Sequence, residues 1–178
     1  SSPCYHSGSS RIINAFPGTG KSTLFCHRNS HRVVRRLSPS GLSHPADDGR
    51  PNATPVLFDL DSSNYPKDNF PHNYIADIQT GRKNHVNGIF LVSTHASFLA
   101  ALDALKLPPA VVFPQSYLRM DYLVRYEERG DSPEFIEFMS RQWDSFITDL
   151  ETHCAQSEYA KAYRLGGDQN LATLFGPI

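Results

Sequence analysis

The segment AFPGTGKST, residues 15–23, restricts the possible fold of this chain more strongly than any other segment. Gly20, Lys21 and Ser22 occur in the order that a phosphate-binding loop uses, with Ala15 in place of the glycine that usually begins the pattern. Glycine allows backbone conformations that a Cβ atom would block, so the N–H groups of such a loop can turn inward and bind an anion. The segment therefore predicts a strand, a phosphate-binding turn and a helix in succession.

The residues on either side fit that order of elements. Residues 11–16 form a short apolar run that predicts a buried strand, and residues 22–28 have the composition of a helix start. Within the loop, Lys21 is expected to reach the β- and γ-phosphates of a nucleotide, and the Ser22 hydroxyl to bind Mg²⁺. Pro17 stiffens the start of the loop. We interpret this region as a nucleotide-phosphate site.

Short apolar runs elsewhere predict a sheet. Five of them are expected to be strands: residues 11–16, 55–60, 88–93, 110–113 and 162–165. Stretches with helical periodicity lie between them, which favours an α/β fold with a parallel sheet covered by helices on both faces. In such a sheet ligands bind at the carboxyl ends of the strands, so the segments that follow the strands are expected to form one site.

Two of the intervening stretches show a regular apolar face. Residues 95–107 place Phe98, Leu99, Leu102 and Leu105 on one side. Residues 132–154 begin with Ser132, a favourable N-cap, and repeat large residues at helical spacing. The repeated residues are Phe135, Met139, Trp143, Phe146 or Ile147, Leu150 and Cys154. We interpret both faces as facing the core.

Residues 28–54 do not fit the alternation of strands and helices. They are rich in Ser, Pro, His and Arg, a composition that buries little surface and predicts a mobile insertion. The cluster of Arg32, Arg35 and Arg36 could contact phosphate or nucleic acid, but we favour the interpretation that these side chains are solvated. The chain is thus expected to have a flexible N-terminus over residues 1–10 and one domain over residues 11–178 that carries this insertion.

Two acids follow the second predicted strand. Asp59 and Asp61 lie on the same side of an extended chain because side chains alternate along it, so both would face the bound phosphates. One carboxylate is expected to hold Mg²⁺, and the other to orient or deprotonate an acceptor hydroxyl. We predict Asp59 as the metal ligand and Asp61 as the catalytic base, although the residues alone leave this division open.

Arginines follow the fourth predicted strand, in residues 114–141, which we expect to form a helical lid. Arg125 and Arg129 are four residues apart and share a helix face. Phosphoryl transfer develops negative charge on the phosphate oxygens, which guanidinium groups stabilise. We predict that Arg125 and Arg129 are catalytic and that Arg119 contacts the acceptor. The alternative is ion pairing with acidic residues of the same segment.

Composition excludes some classes of partner. The formal net charge of −1 gives no indication of a surface that coats nucleic acid, and no apolar run has the length of a transmembrane helix. Residues 1–10 lack the apolar core of a signal peptide. Three cysteines without metal or pairing spacing favour reduced thiols, so we expect a cytoplasmic protein with no membrane partner.

The phosphate-binding loop, the two acids and the arginine-bearing segment together resemble the P-loop nucleoside and nucleotide kinase superfamily. That group includes adenylate-kinase-like enzymes and the small kinases that act on shikimate or gluconate. The segments FPGTGKST, DLDSSNYPKDNFPHNYI, GIFLVSTH and YLVRYEERG are also similar to small phage and bacterial proteins described as nucleotide kinase-like. The resemblance covers residues 11–178 except 28–54. It implies a P-loop NTPase fold of three α/β/α layers, with a five-stranded, mostly parallel sheet and a helical lid.

The resemblance also implies roles for single residues. ATP would be bound by Phe16, Pro17, Gly18, Thr19, Gly20, Lys21, Ser22 and Thr23. Mg²⁺ would be held by Ser22 with Asp59 or Asp61. The acceptor would contact Asp61, Asn64, Tyr74, His95 and Arg119. The third strand ends in Ser93, Thr94 and His95 instead of the acid that is often found there, so metal binding would fall to the two aspartates.

The implied activity is ATP-dependent phosphoryl transfer to a small acceptor. A nucleoside monophosphate is the favoured acceptor, and the hydroxyl of a sugar or an acid is the next. A polynucleotide 5′-hydroxyl or sugar-nucleotide kinase is an alternative within the same fold. An alternative of another class is a regulatory module that binds a nucleotide without catalysis.

Overall fold

The computed structural model describes residues 12–21, 34–36, 56–85 and 88–175, and within these ranges six strands form one parallel sheet. The strands are β1 Ile12–Ala15, β2 Val34–Arg36, β3 Val56–Asp59, β4 Gly88–Val92, β5 Pro109–Pro114 and β6 Lys161–Leu165. Their order across the sheet is β2-β3-β4-β1-β5-β6, and every neighbouring pair is parallel. The five strands predicted from apolar runs are all confirmed.

The sixth strand, β2, lies inside the segment that was predicted to be a mobile insertion. It pairs with β3 at the edge of the sheet, with Arg35 opposite Phe58. The prediction of a loop was therefore wrong for residues 34–36. The reason is that a three-residue strand with two arginines has no apolar pattern, and its pairing depends on the neighbouring strand. The rest of residues 28–54, and residues 1–10, lie outside the described part of the chain.

Helices connect the strands in the described ranges. They are α1 His72–Asn84, α2 Ala96–Ala104, α3 Arg119–Glu128, α4 Pro133–Gln156 and α5 Leu171–Phe175. The predicted cap of α4 is confirmed, because the Ser132 hydroxyl accepts a hydrogen bond from the N–H of Phe135 at 3.1 Å. The predicted face of α2 is buried at Phe98, Leu99 and Leu102, whereas Leu105 follows the last helical residue and is 47% exposed.

Alternating side chains of the sheet form apolar layers on both faces. Ile13, Leu91 and Val112 pack on one face together with residues of α5. Ile12 and Phe90 lie on the other face, against residues of α1 and α2, and farther along that face α3 and α4 cover the sheet. The protein is thus an α/β protein with a fully parallel sheet, an arrangement compatible with three α/β/α layers. No helix in the described ranges has the length and apolar character that a membrane crossing needs.

The strand order locates a crevice. The chain leaves β1 towards β2 and β3 on one side, whereas it leaves the adjacent strand β4 towards β5 on the other side. Parallel strands are connected by right-handed crossovers, so two connections that run in opposite directions along the sheet lie on opposite faces of it. A gap therefore opens between the two connections, at the ends of the two strands they leave. Ligands of open parallel sheets bind in this gap, outside the carboxyl ends of the two strands.

Candidate functional site

Residues of neighbouring helices donate hydrogen bonds to the carbonyl groups of the loop that follows β1. The carbonyl oxygen of Pro17 accepts a hydrogen bond from the Tyr126 hydroxyl at 2.8 Å. The carbonyl of Gly18 accepts one from Arg125 at 3.3 Å, and that of Thr19 accepts one from the N–H of Leu171 at 2.8 Å. Three successive carbonyl groups are therefore bound to α3 and α5.

This arrangement turns the N–H groups of the loop to the opposite side. In a trans peptide the N–H points away from the preceding carbonyl, so the N–H groups of Gly18, Thr19 and Gly20 face away from α3 and α5. The N–H of Thr19 donates a hydrogen bond to the Phe16 carbonyl at 3.3 Å, within the turn. Among the described residues, no hydrogen bond uses the N–H of Gly18 or Gly20. The two free N–H groups, on either side of Thr19 and close to the helical residue Lys21, are the kind of donors that an anion site requires.

Gly18 is required by both its conformation and its surroundings. Its φ is +86°, and a Cβ atom there would lie 2.8 Å from a ring carbon of Tyr126 and 3.1 Å from a ring carbon of Tyr122. We expect Gly18→Ala to lower the free energy of unfolding by about 2–5 kcal/mol, because a left-handed alanine costs about 1–2 and overpacking adds about 1–3. Denaturant unfolding of the variant measures this loss.

Gly130 provides the matched control for that variant. Its φ is +84°, but a Cβ atom there would meet nothing within 4 Å. Gly130→Ala should therefore cost only the conformational part, about 1–2 kcal/mol. Equal losses for the two variants would contradict a close fit between the loop and the tyrosines of α3.

The predicted lysine and acids meet beside the loop. The Lys21 ammonium lies 3.9 Å from a carboxylate oxygen of Asp59, at the carboxyl end of β3. Asp61 is exposed, and its carboxylate accepts a hydrogen bond from the N–H of Ser63 at 2.9 Å. Pairing continues past β3, since the N–H of Leu60 bonds the Leu91 carbonyl at 3.0 Å. The aspartates are thus carried to the crevice by the sheet itself.

A cavity of about 530 Å³ opens at this edge of the sheet. Its walls include Gly18 and Lys21 of the loop, Asp61 after β3 and His95 after β4. The long helix α4 forms the remaining wall. The separate motifs predicted after β1, β3 and β4 therefore surround one space, as the geometry of a parallel sheet requires.

Two faces of α4 have different roles. Met139, Trp143, Ile147 and Leu150 are buried in the core, as predicted for the apolar stripe. Met139 and Leu150, at the border of the two faces, also touch the cavity. Phe135 and Phe146 were assigned to the same stripe, but they are only partly buried and line the cavity. Phe138, Asp149 and His153 also line it and were not predicted. The spacing 135, 138, 146, 149 and 153 marks a second helix face, and this periodicity was the signal that could have identified it.

The three arginines that were predicted to act on the substrate have different positions, and of the three only Arg129 lines the cavity. The Arg125 guanidinium bonds the Gly18 carbonyl and, at 3.1 Å, the Gly167 carbonyl, and it lies over the Tyr122 ring at 4.4 Å. It is not a wall of the cavity. Arg129 does line the cavity and pairs with Asp131. Arg119 joins α3 to α4 through the Ser140 carbonyl at 3.2 Å.

The segment predicted as a lid is packed in this structure. Residues 114–141 contain α3 and the start of α4, and Tyr122 and Tyr126 of α3 are both 0% exposed. Burial raises the pKa of both phenols. Both rings contact the loop on the side away from the cavity, so α3 supports the loop and is not an open lid.

The other predicted substrate contacts also differ in position. Tyr74 is fully buried, donates to the Leu60 carbonyl at 2.7 Å and accepts from the N–H of Ser93 at 3.3 Å. It ties the end of β3 to the end of β4 and does not reach the cavity, and burial raises its pKa. Asn64 is exposed in the turn Ser62–Asn64 and is not a cavity wall. Of these predictions, His95 faces the cavity.

The donor set near the loop fits Mg²⁺. In the described part of the chain no group of three or more His, Cys, Asp or Glu side chains could hold a metal ion. Mg²⁺, however, is usually bound by one or two carboxylates, with substrate phosphates and water as the other ligands. Asp59 and Asp61 supply carboxylates beside Lys21, whereas the predicted ligand Ser22, and Thr23, lie outside the described residues.

Comparison with known proteins adds no assignment. No protein-family model matches the chain, and no match was found to a curated protein or to a solved structure. The resemblance to P-loop kinases therefore depends on the motifs quoted above. The geometry of the cavity is the basis for the functional proposal that follows.

Proposed function

We propose that this protein is a phosphotransferase of the P-loop NTPase fold, which moves the γ-phosphoryl group of Mg-ATP to a small acceptor. One observation carries the proposal: Lys21 and Asp61 line the same cavity, at the end of a loop whose Pro17, Gly18 and Thr19 carbonyl groups are bound on the opposite side. Anion donors, an ammonium and a carboxylate thus converge on a single open cavity. Such convergence in a concave pocket is typical of an active site.

The residues of the donor side have separable roles. The N–H groups of Gly18 and Gly20 would bind phosphate oxygens, and Lys21 would contact the β- and γ-phosphates. Mg²⁺, held by Ser22 and Asp59, would neutralise charge on those oxygens when bound. Arg129 is the guanidinium on the cavity wall, so it would reach the phosphates, while Arg125 positions the loop through the Gly18 carbonyl.

On the acceptor side Asp61 is the group placed to act. With a hydroxyl acceptor, the oxygen forms a bond to the γ-phosphorus while the β–γ bridging bond breaks, ADP leaves, and the proton passes to the Asp61 carboxylate. With a phosphate acceptor no base is needed, and positioning supplies the rate enhancement. A nucleoside monophosphate remains the favoured acceptor, with His95 on the same wall as a further contact.

A transfer assay tests the proposal. The protein is incubated with Mg²⁺ and ATP labelled at the γ-phosphate, together with panels of nucleoside monophosphates, nucleosides or hydroxylated acids. Label is expected in one class of acceptor, and EDTA should abolish it. ATP binding without transfer to any panel would contradict the proposal and favour a nucleotide-binding module, and loss of ATP without a labelled acceptor would indicate hydrolysis.

A further inference from the structure

The cavity wall formed by α4 is long. Its residues run from Phe135 to His153, and at about 1.5 Å of rise per residue this face extends roughly 27 Å along the helix. Phe135 lies near the loop, because its ring packs on Tyr126 at 5.3 Å, and Tyr126 bonds the Pro17 carbonyl. The last lining residue of the wall at its opposite end is His153. The space is therefore an elongated cleft that starts at the phosphate loop.

The wall is aromatic from its loop end, at Phe135, as far as Phe146. Phe138 is 45% exposed, and its ring meets that of Phe146 edge-to-face at 5.6 Å. Both rings line the cleft together with Phe135. A sugar or a small hydroxy acid would leave these rings in contact with water, whereas a planar ring can stack on them. The wall thus fits an acceptor with an aromatic ring system.

Polar groups without partners lie farther along the same face. His153 has a buried Nε2 with no hydrogen-bond partner in the described residues. Asp149, one turn before it, makes no hydrogen bond or ion pair with any described residue, although it lines the cleft. An ionised carboxylate only accepts hydrogen bonds, so the ligand group opposite Asp149 must be a donor.

We infer that the acceptor carries an amino-substituted aromatic ring, which stacks on one of the two rings of Phe138 and Phe146, meets the other edge-to-face, and donates its amino hydrogen to Asp149. The group that receives the phosphoryl then lies near Asp61 and Lys21, at the loop end of the cleft. This inference rests on the proposed function for the transfer step, but the ring site itself exists with or without catalysis. Asp149 is accordingly the residue that determines ring specificity.

Binding of nucleosides in the absence of ATP tests the ring site. Cytidine differs from uridine, and adenosine from inosine, by an exocyclic amino group in place of an oxo group. The oxo member of each pair keeps one ring N–H donor, so each pair tests the exocyclic amino group specifically. Isothermal titration calorimetry should show binding about tenfold tighter for the amino member of at least one pair, since a hydrogen bond to a charged group is worth about that much. Asp149→Asn should remove this preference, because a carboxamide also donates.

Matched variants separate the site from general effects. Asp144→Asn changes an exposed acid on the opposite face of α4 and should leave the preference unchanged. Phe138→Ala should weaken ring binding about tenfold through lost stacking, whereas Tyr117→Ala, a 71% exposed aromatic residue away from the cleft, should not.

The inference and the proposed function fail differently. No amino preference in the wild type, or a preference that survives Asp149→Asn, overturns the inference even if phosphoryl transfer occurs. Ring binding with the expected preference, but no transfer to any acceptor, overturns the proposed function and leaves the ring site. Transfer only to acceptors without a ring also overturns the inference.

Discussion

Replacing Lys21 with alanine is expected to reduce phosphoryl transfer at saturating ATP by about a thousandfold or more. The Lys21 ammonium is the cation that the structure places between the loop and Asp59, at 3.9 Å from its carboxylate. Loss of one neutral donor aimed at developing charge typically costs two to three powers of ten in turnover, and a full positive charge contributes at least as much. Turnover with labelled ATP and ATP binding by calorimetry should be measured on the same preparation.

The control for Lys21→Ala is Lys67→Ala. Lys67 is an exposed lysine in the neighbouring turn Lys67–Asn69 and is not a wall of the cavity. Its removal should change transfer by less than about twofold, which corresponds to the few tenths of a kcal/mol of a surface substitution. If Lys21→Ala kept turnover within a few fold of the wild type, the assignment of the loop as the transfer site would be wrong. If it impaired ATP binding in a protein without transfer, the loop would be a binding site only.

Replacing Trp143 with alanine is expected to lower the free energy of unfolding by about 3–5 kcal/mol. The side chain is completely buried, and its ring packs against Phe16 and against Tyr122, each at 5.4 Å between ring centroids. Its indole N–H also donates to the Ser116 carbonyl at 2.8 Å. The void left by alanine would therefore lie next to Phe16, the first residue of the loop.

Phe138→Ala is the matched control for this loss. It removes another aromatic side chain of α4, but one that is 45% exposed, so we expect a loss below about 2 kcal/mol. Urea unfolding should show a lower midpoint for Trp143→Ala with an unchanged slope. Comparable losses for the two variants would contradict the division of α4 into a core face and a cleft face.

The sequence alone allowed the strands and the loop to be predicted, because both have local signals. Buried parallel strands appear as short apolar runs, and the loop combines glycines at positive φ, at Gly18 and Gly20, with a lysine at the helix start. The placement of Asp61 on the same cavity as Lys21 also followed, since parallel strands end at one edge. These features depend on residues close in sequence or on sheet topology.

The orientation of individual side chains could not be predicted in the same way. Arg125 and Arg129 share a helix face in the sequence, yet Arg125 binds the outer carbonyl of the loop and Arg129 lines the cavity. Tyr74 seemed suited to the acceptor, but it is a buried link between two strand ends. Which side chain reaches the cavity depends on how each helix is rotated and tilted against the sheet.

From the sequence, a parallel α/β sheet and a loop with glycines ahead of a helical lysine could be predicted, because periodicity and glycine positions act over a few residues. Only the tertiary structure decided that α4 presents a second face to the cleft, with Phe138, Asp149 and His153 along its wall. That arrangement requires the 24-residue helix α4 to bury Trp143 and Ile147 against the rest of the protein while its neighbouring face remains open to the cleft. The helical spacing marks this face, but whether other elements cover it depends on packing between segments far apart in the chain.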